Sequence, residues 1–474
     1  MAADLESLQA HNLESFLFLA EYRWLHDIPV THVLKQGTLS EVPDEWAAKL
    51  RQMSTDDLNN LPFMNTTSLD KEADWPESFL QFLSKANSLS LDRAQNVDCA
   101  GTGLDATMSR GMNPKKKHEV EWMASLVDKV VTDAKCHLVV DIGSGLGYLD
   151  HVLHQVYGHP VLGLETSESH TCAAEARACQ QGISCGGVVN RKFNITNGDE
   201  CFQQLDALIR EEAQGLTCLC RHKKTRENEA GEHHWKGTDG EELRVCVIGL
   251  HCCGDLSTSM LSLFDRSDHV KALCYVSCCY HKMAYSDHTS PGTFEYFPFS
   301  QSGKSQYRQV TQSSPCPPVS PFTLRLGAQE TKCRWRSQTE EDHADHTRHV
   351  AYRALLEFTS TPSTAMRQRV RKCDFSSFQS FLTSYFPEDK TDDETRRQIC
   401  DLKRYFCEHK DVFDLIEPWT CLQVIIQPVV ESLVYRDRLV WLKERGHFDS
   451  RIVPVFDDLI SPRNLALVAI KSSG

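Results

Sequence analysis

Val139-Val-Asp-Ile-Gly-Ser-Gly-Leu-Gly-Tyr-Leu149 is the stretch that decides the fold of this chain. An apolar, β-type run ends in Asp141 and opens into a loop with glycines at 143, 145 and 147. A helix-like segment follows, and a second apolar run, Val161 to Leu164, ends in Glu165. The order strand, glycine loop, helix, strand, acid is that of a unit that cradles a nucleoside-containing ligand at the carboxyl ends of parallel strands. Glycine lets the backbone approach such a ligand without Cβ clashes. A carboxylate at the end of the second strand suits a ribose, because it accepts hydrogen bonds from both hydroxyls.

The spacing is G-x-G-x-G, and Tyr148 stands where a dinucleotide fingerprint wants its third glycine. An acid before the loop, Asp141, and another 24 residues on, Glu165, resembles the pattern of class I methyltransferases that use S-adenosylmethionine (SAM). A nicotinamide or flavin site, or an ordinary glycine-containing βα turn, is the competing reading.

Composition bounds the rest. A chain of 474 residues is expected to form two or three units. Apolar residues make up 41% and charged residues 24%, which is globular rather than disordered. A net charge of −14 excludes a globally basic nucleic-acid surface but not a local basic patch. The 20 cysteines read as reduced thiols of a cytoplasmic or nuclear protein, because Met1 to Ala10 is polar and acidic and no signal peptide is visible. No spanning helix is expected: the best apolar stretch, Cys421 to Val430, carries Gln423, Gln427 and Pro428.

Four regions are expected along the chain. Residues 1–110 read as helical, from Leu13 to Trp24 and Trp75 to Leu83. Residues 111–285 read as the cofactor-binding core, opened by a helix that sets Val120, Met123, Val127 and Val130 on one face. Strands are expected near His137–Ile142, Val161–Glu165, Val188–Ile195, Val245–His251 and Lys271–Ser277, with a mobile insertion at about 206–240. In that insertion Cys218, Cys220, His222, His233 and His234 match no closed zinc pattern. Residues 286–415 read as a lid, with Phe294, Tyr296, Phe297 and Phe299, and a helical insertion on the substrate side. Residues 416–474 read as a helix at Val434–Trp441 and strands at Ile452–Phe456 and Leu465–Ile470 that complete the core sheet. The fold class is thus α/β: a Rossmann-like class I methyltransferase sheet with helices on both faces, a helical N-terminal region, and a long insertion before the terminal strand pair.

In an open parallel sheet the reacting groups gather past the strand carboxyl ends. The expected cofactor set is Asp141, Gly143, Ser144, Gly145, Gly147, Glu165, Asn194 and His251. His251, Tyr280 and His281 are the catalytic candidates: His251 as a base or positioning group, the other two to stack on or hydrogen-bond a planar substrate. Lys117, Cys279 and Tyr280 are the substrate candidates, the lysine coming from the run Lys115 to Lys117. Asp255 reads as the cap of a helix starting near Leu256. No metal is expected. Adjacent cysteines in a strand point to opposite faces, so neither Cys252-Cys253 nor Cys278-Cys279 readily binds one ion as a pair. One cysteine from each pair remains geometrically possible.

Gly111-Met-Asn-Pro-Lys-Lys-Lys-His-Glu-Val, Asp141-Ile-Gly-Ser-Gly-Leu-Gly, Gly249-Leu-His-Cys-Cys-Gly-Asp-Leu-Ser, Ser277-Cys-Cys-Tyr and Leu459-Ile-Ser-Pro-Arg-Asn-Leu-Ala-Leu-Val-Ala resemble the methyltransferase-like protein 25 family. The resemblance runs from about residue 111 to the carboxyl end. It implies a class I fold with SAM as cofactor and brings no established substrate. His251, Cys253, Gly254, Cys278, Cys279 and Tyr280 are also similar to the strand exits of tRNA 2′-O-methyltransferases, although the zinc modules of those enzymes are not evident here. An older dimethylase label within the family would imply an Asn-Pro-Pro-Tyr-like motif after the fourth strand, where this chain has His251-Cys252-Cys253-Gly254. The expected activity is SAM-dependent methyl transfer. RNA is slightly favoured as acceptor on the strength of the Arg367, Arg369, Arg371, Lys372 cluster. Transfer to protein or a small molecule, and a non-catalytic protein that kept the fold, are the alternatives. No protein partner and no membrane association is legible.

Overall fold

The computed structural model describes residues 2–65, 75–95, 100–183, 186–215, 242–288, 292–314, 316–329, 331–359, 368–387 and 392–472. Contacts group the chain into two compact units: residues 1–13, 92–312 and 433–474, and residues 14–91 and 313–432.

The first unit is built on β1 (Leu138–Ile142), β2 (Val161–Glu165), β3 (Val188–Lys192), β4 (Val245–Cys252), β5 (Val270–Ser277), β8 (Ser450–Pro454) and β9 (Leu465–Ile470), with a short hairpin of β6 (Tyr285–Ser286) and β7 (Thr293–Phe294). The seven-stranded sheet runs β3-β2-β1-β4-β5-β9-β8. β1 to β5 are mutually parallel and β9 is antiparallel to both neighbours. All five residues of β1 are buried. Burial at every position marks a strand covered on both faces, as parallel strands joined by helices are. The strand order reverses between β1 and β4, so the open crevice of the sheet lies between the loops that follow them.

The helix Pro114–Asp133 packs on this sheet. Asn113 accepts from Lys116 N at 2.7 Å and Pro114 opens the first turn, both strong start signals. Val120, Met123, Val127 and Val130 are fully buried, as their spacing predicts. The helix Tyr148–Tyr157 begins and ends on left-handed glycines, Gly147 at φ 71° and Gly158 at φ 79°.

Three elements differ from the sequence reading. Residues 206–215, expected within the surface insertion, continue the helix Asp199–Gly215, which buries Phe202, Leu205, Ile209 and Ala213. The remainder of that insertion, including its cysteines and histidines, lies outside the described residues. The expected lid contains the helix Gln301–Ser313, whose start is tied down: Asp437 accepts from Ser300 N at 3.1 Å, and Glu444 from Gln301 N at 2.7 Å and Ser302 N at 3.0 Å. Carboxylates at a helix N-terminus satisfy amides that have no partner within the helix. Phe297 is buried and Phe299 packs on Trp441, so these aromatics serve the interior. Finally, the helix expected at Val434–Trp441 is part of a 29-residue helix, Ile416–Glu444, that carries Pro428 inside it. A helix buried all round shows no amphipathic period, which hides its length from pattern reading.

The second unit is helical among its described residues. Phe18, Tyr22, Trp46, Phe79 and Phe82 form one aromatic cluster. Glu417 is held by His343 and His346, each at 2.5 Å. Among the described residues no helix is long and apolar enough to cross a membrane.

Candidate functional site

The glycine loop joins β1 to the helix Tyr148–Tyr157 with Gly143, Gly145 and Gly147 all at positive φ, a conformation L side chains avoid. Gly143 N donates to Leu164 O at 2.8 Å, which fastens the loop to the end of β2. Glu165, at that end, accepts from Gly145 N and Ser167 N, both at 3.0 Å. The acid that the sequence pairs with the loop therefore braces it directly. A Cβ added at Gly145 would meet nothing within 4 Å, so the loop faces open space there. Asn194 stands exposed just past β3, on the far side of β2 from the loop.

Below the loop lies a buried acid pair. Asp141 and Asp150 are both buried, and burial pushes Asp141 up to about 6. Burial, together with the charge of Asp141, raises Asp150 well above the carboxylate range. Burial and mutual repulsion thus favour one proton shared between the two carboxyls over two full charges. Asp141 Oδ1 and Ser144 Oγ are buried without a hydrogen-bond partner among the described residues. Gly163 permits this crowding: a Cβ there would lie 2.6 Å from both Asn190 Oδ1 and Asp150 Oδ2. Asp150 carries no motif signal, but an acid inside the apolar helix run Tyr-Leu-Asp-His-Val-Leu is a recognisable oddity.

His251 is the only exposed residue of β4. Its Nε2 lies 3.1 Å from Glu119, whose side chain is 2% exposed. Glu119 also accepts from Ser461 Oγ at 2.8 Å and faces Lys116 at 3.3 Å. Burial opposes its charge, yet the hydrogen bond and charge of His251, with Lys116 and Ser461, hold its carboxyl down to about 2. An ionised carboxylate only accepts, so Nε2 of His251 carries the hydrogen and the imidazole is oriented by the acid. Sequence reading missed Glu119, although it sits in the same run as the lysines. Lys117 turns toward Glu121 at 3.9 Å, whereas Lys116 reaches Glu119 and its charge acts on Asp141.

The exits of β4 and β5 are knit together by Gly254 N to Cys279 O at 3.2 Å and Ser277 Oγ to Cys252 O at 3.1 Å. From the C-terminal helix, Arg438 Nη1 donates to Ser277 Oγ at 3.2 Å and Tyr435 Oη accepts from Ser277 N at 2.9 Å. Tyr280, expected to meet a planar substrate, is fully buried: its hydroxyl donates to Ser277 O at 3.3 Å and its ring packs edge-on against Tyr435. The 3-10 turn Tyr280–Lys282 swings that ring inward, which an alternating strand reading does not anticipate. His281 is half-buried in the same turn. Asp255 makes no side-chain cap; its carboxylate accepts from Ala284 N at 2.8 Å instead. Cys253, Cys278 and Cys279 are partly exposed and mutually adjacent. Hydrogen bonding from Cys278 outweighs burial and, with Cys279, Lys282 and His251, holds the Cys253 thiol down to about 5, while Cys278 is pushed up.

Residues 115–286 match a protein family described as a methyltransferase domain. The probable methyltransferase-like protein 25 of Homo sapiens is 23% identical over 470 residues, spanning 76% of this chain and 75% of the relative. Its Mus musculus counterpart is 23% identical over 468 residues, with the same shares. Among solved structures, coclaurine N-methyltransferase bound to N-methylheliamine and SAH aligns over 81% of this chain and 95% of that chain, at 10% identity and a TM-score of 0.22, too slight a likeness to argue from. That match implies SAM as the methyl donor. The residues present fit that donor: an open-faced glycine loop and a carboxylate at the end of β2.

Proposed function

Taking the chain as a SAM-dependent methyltransferase related to methyltransferase-like protein 25, we propose that it methylates a proton-bearing heteroatom, with RNA the favoured acceptor class. The observation that carries this reading is the His251–Glu119 pair at the end of β4, beside the glycine loop at the sheet's switch point. SAM supplies a methyl group already activated on a sulfonium sulfur. The protein has then to bind, align and take up a proton.

Glu165 is suited to the ribose hydroxyls and Gly143, Ser144, Gly145 and Gly147 to close backbone approach, while Asp141 lies buried beneath the loop. Asn194 borders the adenine side. Glu119 fixes the imidazole with hydrogen on Nε2, which leaves Nδ1 of His251 to accept the proton that the acceptor loses. Lys116 keeps positive charge beside both acids.

The RNA preference rests on the likeness of the strand exits to tRNA 2′-O-methyltransferases and on the basic cluster. Gln368, Arg369, Arg371 and Lys372 line a surface cavity of about 510 Å³, a size and charge that accept phosphates. Arg367 of that cluster lies outside the described residues. Methyl transfer from labelled SAM into fractionated RNA and protein tests the reading. Label in RNA that disappears with His251→Ala supports it; label confined to protein or small molecules refutes the RNA assignment.

A further inference from the structure

Strand alternation argues against two adjacent cysteines sharing one ion. That argument does not reach Cys278 and Cys279, because β5 ends at Ser277 and both lie in the turn beyond it. Cys252, by contrast, remains in β4, fully buried against Met260. Cys253 is the first residue past β4. The geometry points to a soft-metal site formed by the thiolates of Cys253, Cys278 and Cys279, which takes Zn²⁺ or a similar thiophilic ion.

The Sγ of Cys253 lies 3.1 Å from that of Cys278, and the Sγ of Cys278 lies 3.6 Å from that of Cys279. All three sulfurs fall within 4.8 Å of one another. Tetrahedral zinc at Zn–S distances of about 2.3 Å requires sulfurs about 3.8 Å apart, in the middle of that range. A Cys253–Cys278 disulfide would need its sulfurs about 2.05 Å apart and would leave Cys279 unused.

The frame around the sulfurs is already set. Gly254 N to Cys279 O and Cys278 N to Cys252 O, at 3.2 and 3.4 Å, hold the two exits side by side. Gly254 is at φ +56°, and a Cβ there would lie 2.6 Å from Lys282 O, so only glycine brings the exits this close. Binding displaces the remaining thiol protons to solvent as the metal–sulfur bonds form. Among the described residues no fourth histidine, cysteine or acid joins the three. Three protein ligands with a fourth position taken by water or a bound molecule is the composition of a reactive zinc site. The site stands past β4 and β5, on the carboxyl side of the sheet where an acceptor enters. It does not depend on RNA being that acceptor.

The test uses the full chain, stripped by chelator under reducing conditions and titrated with Co²⁺ and with Zn²⁺. The expected result is a cobalt–thiolate charge-transfer band, displaced by Zn²⁺, that is lost in Cys253→Ser and in Cys278→Ser. The band should persist in the double variant Cys218→Ser/Cys220→Ser, which separates this site from the cysteines near residue 220. X-ray absorption of the zinc-loaded wild type needs no variant and should show three sulfur neighbours at about 2.3 Å. A zinc shell of nitrogen and oxygen alone, a band that survives Cys253→Ser, or a band lost in the Cys218/Cys220 variant would each overturn the assignment.

Discussion

Replacing Glu119 by Gln keeps the shape of the side chain and removes its charge. Its folded carboxyl sits at about 2 against an ordinary 4.5, because His251, Lys116 and Ser461 outweigh the cost of burial. Lowering that carboxyl from 4.5 to about 2 corresponds to about 3 kcal/mol of stability at pH 7. The sign follows from the direction of the shift: a depressed carboxyl stabilises fully above its unfolded value and loses that contribution as pH falls through the folded one. The gap between wild type and Glu119→Gln should therefore be about 3 kcal/mol at neutral pH and roughly 1.5 kcal/mol near pH 3. Urea unfolding of both proteins across that pH range measures it. Equal stability at pH 7, or a gap that does not shrink toward acid, would refute the reasoning.

If Glu165 takes the ribose hydroxyls as proposed, Glu165→Ala should weaken SAM binding by about 1.5–3 kcal/mol, and it also removes the brace on Gly145 N; calorimetry reads the change. His251→Ala should leave SAM affinity intact and reduce turnover by about 10²–10⁴-fold, and an unchanged rate in a methyl-transfer assay would remove it from the mechanism. Gly163→Ala should cost about 1–3 kcal/mol in thermal unfolding, because its Cβ would press on Asn190 and Asp150 at 2.6 Å.

The sheet was legible because its signals are local. Asp141, the three glycines and Glu165 occupy one continuous βαβ segment, and β1, β2, β4, β5 and β9 read as apolar runs with clear ends. What stayed hidden depends on contacts across the chain. Glu119 takes its meaning from His251, 132 residues away, and from Ser461, 342 residues away. Tyr280 looks available in sequence, yet the turn after β5 sends it to Tyr435 in the core. The helix Ile416–Glu444 is buried on nearly every side and shows no apolar stripe to read. The cysteines at the two exits were judged by strand alternation, whereas the strands stop one residue before Cys253 and before Cys278. One miss had a signal: Phe202, Leu205, Ile209 and Ala213 recur at helical spacing and run across the expected start of the insertion at about 206.

Calorimetric titration of the purified chain with SAM and with its demethylated product, beside Gly145→Arg, tests the central claim most directly. Gly145 is at φ +58° with open space around a would-be Cβ, so arginine there adds backbone strain of about 1–2 kcal/mol and fills the space before the loop without disturbing the core. Binding of roughly micromolar affinity by the wild type, lost in a folded Gly145→Arg variant, is the predicted result. No binding by the folded wild type, or unchanged binding by the variant, would contradict the placement of SAM on this loop.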